Sequence, residues 1–139
     1  MKSYQGRSFV TIMIAIALTA LLLRVLLERF LAYSISQNES SAAQTLKYIS
    51  AAMENYARDN KGEYPKDFSI LTQSKPEYYL DRNYIALSPL KGYVYACPKL
   101  EPAGYICNAE PYKCKLTGNT RYSVSTGSLF VSEECAKAE

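Results

Sequence analysis

An uncharged apolar run near the start of the chain, from Phe9 to Leu23, constrains its fold more than any other feature. Extended through Arg24 to Leu27, the run has nineteen residues. At about 1.5 Å per residue a helix of that length is roughly 28 Å long, close to the thickness of a bilayer core. Arg24 and Glu28 lie one helical turn apart at its far end, where they can pair and reach toward the interface. The run therefore predicts a membrane-spanning helix.

The residues on either side of the run indicate its orientation in the membrane and whether it is kept as an anchor or cleaved off as a signal. Lys2 and Arg7 precede it, so the positive-inside rule predicts a cytoplasmic N-terminus. A cleavable secretory signal is the alternative, but it has an apolar core of about 7–15 residues followed by small residues at the cut. Here the core continues to Leu27, and the following "ERFLAYS" has no A-x-A pattern. An anchor is favoured over a secretory signal.

The charge distribution bears on possible partners. The net charge of +3 arises within the first thirty residues, and from Leu31 onward twelve Lys and Arg face twelve Asp and Glu. No basic stripe with interleaved aromatic residues is present, so specific nucleic-acid binding is not expected. The chain has no His, which removes the commonest general base and metal ligand. We therefore expect the protein to have no catalytic residues, no metal and no cofactor. We do not expect it to be an enzyme.

Four cysteines lie in the last third of the chain, at Cys97, Cys107, Cys114 and Cys135. None forms a C-x-x-C pair, so a zinc site is poorly supported. An even count in a small exported domain favours two disulfides formed in an oxidising compartment such as a periplasm. Of the three possible connectivities we favour Cys97–Cys107 with Cys114–Cys135, because the first closes a short loop and the second ties the C-terminal segment across a hairpin.

The helical pattern continues past the apolar run. Residues 31–59 contain neither Gly nor Pro, and an apolar stripe recurs at three- and four-residue steps. The stripe consists of Leu46, Ile49, Met53 and Tyr56. We predict one helix from Ser8 to Arg58, with residues 33–41 as a stretch of low propensity where it bends or frays. The "NKGEYP" segment ends it, with Gly62 as breaker and Pro65 preventing continuation.

The remainder predicts a small antiparallel sheet. After a connector with one helical turn around residues 68–73, strands are expected at 92–97 and 104–107. The segment "RYSVSTGSLFVS" predicts a hairpin with Thr126-Gly127 as its turn and a set of apolar strand residues. That set is Tyr122, Val124, Leu129 and Val131. A sheet lying across the helix stripe gives a two-layer α+β domain.

The thirteen tyrosines have two possible uses. Their apolar rings and wettable hydroxyls suit the helix–sheet interface and contacts between subunits, which is the favoured interpretation. The alternative is an adhesive or glycan-binding face built from Tyr78, Tyr79, Tyr84, Tyr93, Tyr95, Tyr105 and Tyr112.

This layout resembles the type IV pilin and type II secretion pseudopilin family. The matching features are the short basic leader "MKSYQG" ending in Gly6, the apolar helix, Phe30-Leu31, the stretch "AAQTLKYISAAMENYARDNKGEYP" and a cysteine-bearing β region. The resemblance covers about the first 65 residues and is architectural beyond them.

The resemblance implies a precursor cleaved by prepilin peptidase between Gly6 and Arg7, with methylation of the subunit. Residues 1–6 are then a leader, 7–28 a transmembrane and filament-core helix, and 29–139 an exported pilin-like domain. The implied partners are copies of the chain, other pilin-like subunits, the peptidase, an inner-membrane assembly platform and, before assembly, membrane lipid. The implied location is the bacterial inner membrane with a periplasmic C-terminal domain, and then the filament. Close helix packing in that filament is expected at Thr11, Ala15, Ala17 and Ala20.

Three positions depart from the family pattern. Arg7 stands where an apolar residue usually follows the cut, Thr11 where a Glu is usual, and Glu28 where a Pro is common. Family members that lack the Glu are often minor subunits, so a minor subunit is favoured. The rival from another class is a permanently membrane-anchored periplasmic domain for binding or adhesion.

Overall fold

A long N-terminal helix and a small antiparallel sheet make up the fold, an α+β arrangement as the sequence predicts. The computed structural model describes residues 5–73 and 79–136, with side chains from residue 9 onward. Residues 1–4 of the predicted leader and Tyr78 lie outside this part. The elements are α1 (Gln5–Asp59), α2 (Ile70–Gln73), β1 (Tyr93–Glu101), β2 (Gly104–Pro111), β3 (Thr120–Ser125) and β4 (Leu129–Glu134). The chain divides into two units, Met1–Ser34 and Ile35–Glu139.

Residues 33–41 are helical throughout, so the helix does not fray in the predicted stretch of low propensity. Two side chains in this stretch bond the loop before β3. Asn38 Nδ2 donates to the carbonyl of Thr117 at 3.0 Å, and Glu39 Oε1 accepts from the Asn119 amide at 2.7 Å. These tertiary hydrogen bonds outweigh the few tenths of a kcal/mol by which Ser and Asn disfavour a helix.

The core forms where α1 meets the inner face of the sheet. Leu46, Ile49 and Met53 are almost completely buried, and Tyr56 is half-buried against them. Each such aliphatic side chain contributes about 1.5–3 kcal/mol on burial. Ala42, four residues before Leu46, extends the stripe. On the sheet the buried members are Tyr93, Tyr95, Tyr105, Cys107, Ala109 and Val124.

The sheet has the order β1-β2-β3-β4, with every neighbouring pair antiparallel. Between β1 and β2 the register shifts from Ala96↔Asn108 to Lys99↔Ile106, so two residues of β1 oppose one of β2. That bulge contains Cys97, which is bonded to Cys107 on the neighbouring strand. The first disulfide therefore joins β1 to β2 at the point where their regular ladder is interrupted.

The second disulfide joins Cys114, in the loop between β2 and β3, to Cys135, directly after β4. The Cys135 amide also donates to the carbonyl of Asn119 at 2.8 Å. Both disulfides follow the connectivity that the sequence favours. The second closes a loop with a sequence separation of 21, which contributes about 3 kcal/mol by restricting the unfolded chain.

The β3–β4 hairpin turns through three residues instead of the predicted two. Ser125 pairs with Leu129, leaving Thr126, Gly127 and Ser128 in the turn. Gly127 and Ser128 both have positive φ, 78° and 58°. Because strand side chains alternate, the extra turn residue shifts β4 by one position. Phe130 then opposes Val124 and packs on the core, while Leu129 and Val131 are exposed.

The C-terminus of α1 closes with a Schellman arrangement. The Gly62 amide donates to the carbonyl of Ala57 at 2.7 Å. Lys61 therefore occupies the left-handed position after the cap, with φ 58°. The sequence predicts Gly62 as the breaker; Gly62 is also left-handed, at φ 88°, but Lys61 is the residue for which this backbone is costly.

We expect Lys61→Gly to raise the free energy of unfolding of the Ile35–Glu139 unit by about 1 kcal/mol, because Gly carries no Cβ penalty at positive φ. Urea unfolding followed by circular dichroism measures the change. Lys61→Ala is the matched control, since it removes the same charge and keeps the penalty. Equal stability of the two variants would contradict the assignment.

Candidate functional site: the apolar segment of α1

The N-terminal part of α1 presents apolar side chains on every side. All residues from Phe9 to Tyr33 are exposed. The large apolar side chains from Phe9 to Leu31 have exposures of 45% to 68%. An apolar surface this extensive is unfavourable in water, and soluble monomers rarely present one. The segment is therefore built to lie in lipid or against other protein chains.

The segment satisfies the requirements for crossing a bilayer. Its best eighteen-residue window has a mean hydropathy of 2.6, and the helix that contains it is long enough to span. A signal sequence close to an N-terminus meets the same two criteria. Helical hydrogen bonds satisfy the backbone internally, which a lipid environment demands.

Three polar side chains of this segment, those of Thr19, Arg24 and Glu28, have local partners. Thr19 Oγ1 donates to the carbonyl of Ile16, one turn back, at 2.9 Å. Arg24 Nε and Glu28 Oε1 are 3.3 Å apart, and both side chains are exposed. This i,i+4 pair is electrically neutral and lies at the end of the segment, as the sequence predicts. It can lie at an interface without adding net charge.

The residues assigned to processing and packing all fall on α1. Gly6 and Arg7 have helical backbones, and their side chains are outside the described part. Thr11, Ala15, Ala17 and Ala20 are exposed, and they do not share one face. At about 100° per residue, Ala15 and Ala17 lie on nearly opposite sides of the helix. Small side chains are therefore available for close approach from more than one direction.

We expect Ala17→Arg combined with Leu21→Arg to release the protein from membranes, because each arginine near the centre of a span costs about 2.5–3.5 kcal/mol. Extraction of membranes with alkaline carbonate measures the release. The control is Tyr112→Arg with Leu116→Arg, at two exposed positions outside the segment. Retention of the segment double variant would show that this helix does not anchor the chain.

In the Ile35–Glu139 unit, Glu54 connects α1 to three other parts of the fold. Its Oε1 accepts from the Gly127 amide at 2.8 Å and from the Tyr105 hydroxyl at 3.2 Å. Its Oε2 accepts from the Tyr64 hydroxyl at 3.0 Å. One turn earlier, the Ser50 hydroxyl lies 2.9 Å from the Ser128 hydroxyl. Sequence reasoning missed this cluster, because a Glu beside an apolar stripe is the ordinary composition of an amphipathic helix.

The seven tyrosines proposed as an adhesive face have different roles. Tyr93, Tyr95 and Tyr105 are buried in the core, which agrees with the packing interpretation. Tyr112 is exposed and belongs to the loop after β2. The hydroxyls of Tyr79 and Tyr84 each donate to a carboxylate at 2.8 Å, those of Asp59 and Asp81.

An open groove of about 370 Å³ runs along α1 beside residues 79–84. Its lining includes Tyr48 and Ala51 from the helix and Tyr84 from the facing segment. Asp81, also in the lining, is bonded to Arg82 and to the Tyr84 hydroxyl. Among the described residues, no cluster of three or more His, Cys, Asp or Glu side chains is placed to hold a metal ion.

Burial favours the neutral form of the core tyrosines. It raises the pKa of Tyr105 to about 12; the Glu54 carboxylate acts in the same direction and the Ser50 hydrogen bond in the opposite one. Burial likewise raises the pKa of Tyr93. A tyrosine whose folded-state pKa exceeds its unfolded value of about 10 contributes stability below pH 10, and that contribution is lost as the pH rises through the folded value.

We therefore expect the Ile35–Glu139 unit to lose stability steeply above pH 10, by about 1.4 kcal/mol per pH unit for each such tyrosine. Urea unfolding followed by far-UV circular dichroism at pH 8, 10 and 11 measures the slope. Tyr105→Phe should make it shallower, whereas Tyr112→Phe, at an exposed position, should leave it unchanged. Identical slopes in the two variants would refute the role of Tyr105.

A comparison of the sequence with models of known protein families found no match, and a comparison with curated proteins found none either.

Proposed function

We propose that the chain is a structural subunit of a type IV pilus or a type II secretion pseudopilus, assembled through the apolar segment of α1. The observation that carries the proposal is that one unbroken helix combines two surfaces. Its first part is apolar and exposed on all sides, and its second part buries a single stripe under a sheet. A plain anchor needs only the first of these, joined to its domain by any linker.

The apolar segment suits a subunit that moves from lipid into a filament. In the membrane its side chains contact lipid, and in a filament core they contact the same segment of other subunits. Small residues on several sides, Ala15 and Ala17 among them, permit close helix–helix approach from more than one neighbour. The neutral Arg24–Glu28 pair fits either surrounding.

The exported unit suits the outside of such a filament. Two disulfides, Cys97–Cys107 and Cys114–Cys135, hold its sheet and the end of β4, which favours an oxidising compartment. Thr11 replaces the acidic residue usual in this family, which supports a minor subunit. The partners proposed are copies of this chain and other pilin-like subunits, together with prepilin peptidase and an assembly platform in the inner membrane.

Intact-mass spectrometry of the protein from native membranes and from sheared surface material tests the proposal. We expect the sheared form to lack residues 1–6 and to be four hydrogens lighter than the reduced chain, because two disulfides have formed. Gly6→Leu should block cleavage and remove the protein from the sheared fraction. Ser3→Leu is the matched control within the leader. It should change neither the cleavage nor the amount of protein in the sheared fraction.

The opposite outcome is equally definite. An uncut chain that occurs only in membranes, with wild type and Gly6→Leu indistinguishable, would reject the filament subunit. It would favour the permanently anchored domain, for which the groove beside Tyr84 is the candidate binding surface.

A further inference from the structure

The two edges of the sheet differ in how their backbone groups are covered. On the β1 edge, Tyr93 and Leu90 exchange two backbone hydrogen bonds, at 2.8 and 3.0 Å. The Tyr95 amide donates to the Ser88 hydroxyl at 2.9 Å. Farther along, the bulge contains Pro98, which has no amide hydrogen to offer. The β1 edge is thus closed to a further strand.

The β4 edge has none of these protections. β4 pairs with β3 on one side, and within residues 5–73 and 79–136 no strand or bridge adjoins its other side. Its sequence, "LFVSEE", contains no Pro and no Lys, and its pairing with β3 has no bulge. Proteins commonly use those devices to block edge-to-edge pairing, so an edge without them is open to a partner strand.

The side chains along this edge are apolar on the outer face of the sheet. Leu129 and Val131 are 64% and 40% exposed, with Ser132 and Phe130 alternating to the inner face. Ile106 lies in the same outer row as Leu129, two strands away, and is also exposed. An added strand would pair its own apolar side chains with Leu129 and Val131.

The C-terminal end of the β4 edge is negatively charged, whereas on the inner face Lys47 of α1 lies over the Phe130 ring, with its Nζ 5.6 Å from the ring centre. Glu133 and Glu134 end the strand and are exposed, and no ion pair within the described residues includes either carboxylate. Arg121 is opposite Glu133 across the hairpin, but its Nε donates to Glu110 at 2.8 Å. A partner strand with basic residues would neutralise this end.

We propose that the β4 edge binds an extended segment of a partner protein as a fifth strand of the sheet, with apolar side chains beside Leu129 and Val131 and basic side chains beside Glu133 and Glu134. Backbone hydrogen bonds supply affinity in this mode, and the alternating side chains supply specificity. A second copy of β4 is a poor partner, because antiparallel pairing would place Glu133 and Glu134 of each strand beside the apolar end of the other, with no cation opposite them. The inference does not rest on the filament proposal, since an anchored domain presents the same edge.

The test uses the full chain in a neutral detergent and a short fluorescein-labelled peptide in which two lysines precede alternating threonine and valine, here called the valine–lysine peptide. In antiparallel pairing its lysines lie opposite Glu134 and Glu133, and its valines lie opposite Val131 and Leu129. We expect saturable binding by fluorescence anisotropy and slower hydrogen exchange of the β4 amides in the complex. The same peptide with glutamates in place of the lysines should not bind. Absence of valine–lysine binding, or equal binding of both peptides, would overturn the proposal.

Variants locate the binding on β4. Leu129→Lys should lower the affinity for the valine–lysine peptide by about tenfold or more, because it removes an apolar cross-strand contact and adds a charge of the same sign as the peptide's lysines. Leu116→Lys is the matched control, at an exposed leucine in the loop before β3. Glu133→Gln with Glu134→Gln should weaken binding and reduce its salt dependence. Equal effects of Leu129→Lys and Leu116→Lys would refute the site.

Two further measurements keep the result decisive. Val131→Thr is a milder change than Leu129→Lys. It should lower the affinity for the valine–lysine peptide, while the circular dichroism spectrum of the chain stays the same as that of wild type. A concentration-dependent dimer that Leu129→Lys abolishes would assign the edge to a second copy and overturn the proposal. Cleavage after Gly6 and recovery in sheared material do not depend on β4, so either proposal can fail alone.

Discussion

Packing of the apolar stripe of α1 against the inner face of the sheet is the interaction on which the Ile35–Glu139 unit depends. A single sheet with one apolar face must bury that face against another element to be stable in water. Leu46, Ile49 and Met53 supply one side of that core, and Tyr93 and Tyr105 are on the other. Because these are hydrophobic contacts without direction, they leave the position of each loop undetermined.

Directional hydrogen bonds from polar side chains of the same helix determine where the loops lie. Glu54 bonds the Gly127 amide in the β3–β4 turn, and Glu39 bonds the Asn119 amide before β3. Each of these charged acceptors holds a loop that enters or leaves a strand, and such bonds are stronger than neutral ones. One helix thereby fixes both the burial of the sheet and the placement of its connections.

Much of this architecture is predictable from the sequence, because the relevant signals are local or periodic. The stripe from Leu46 to Tyr56 follows helical spacing, and the strands around Tyr93 and Val124 alternate. The two disulfides agree with the favoured pairing, which assumes a C-terminal segment tied across a hairpin. The apolar segment is evident from composition alone.

The features that escape prediction depend on contacts between distant residues. The hairpin takes three turn residues, and its turn is held by Glu54 and Ser50, more than seventy residues earlier in the chain. Residues 33–41 do not fray because Asn38 and Glu39 bond a loop about eighty residues later. Local propensity contains no information about such partners.

The three-residue turn also determines which side chains β4 presents at the edge of the sheet. If the hairpin instead turned through Thr126 and Gly127 alone, Ser125 would pair with Ser128 and β4 would shift by one position. Leu129 and Val131 would then face the core, and Phe130 would face solvent. A change of one residue in the length of this turn would thus exchange the inner and outer surfaces of the strand without altering any of its side chains.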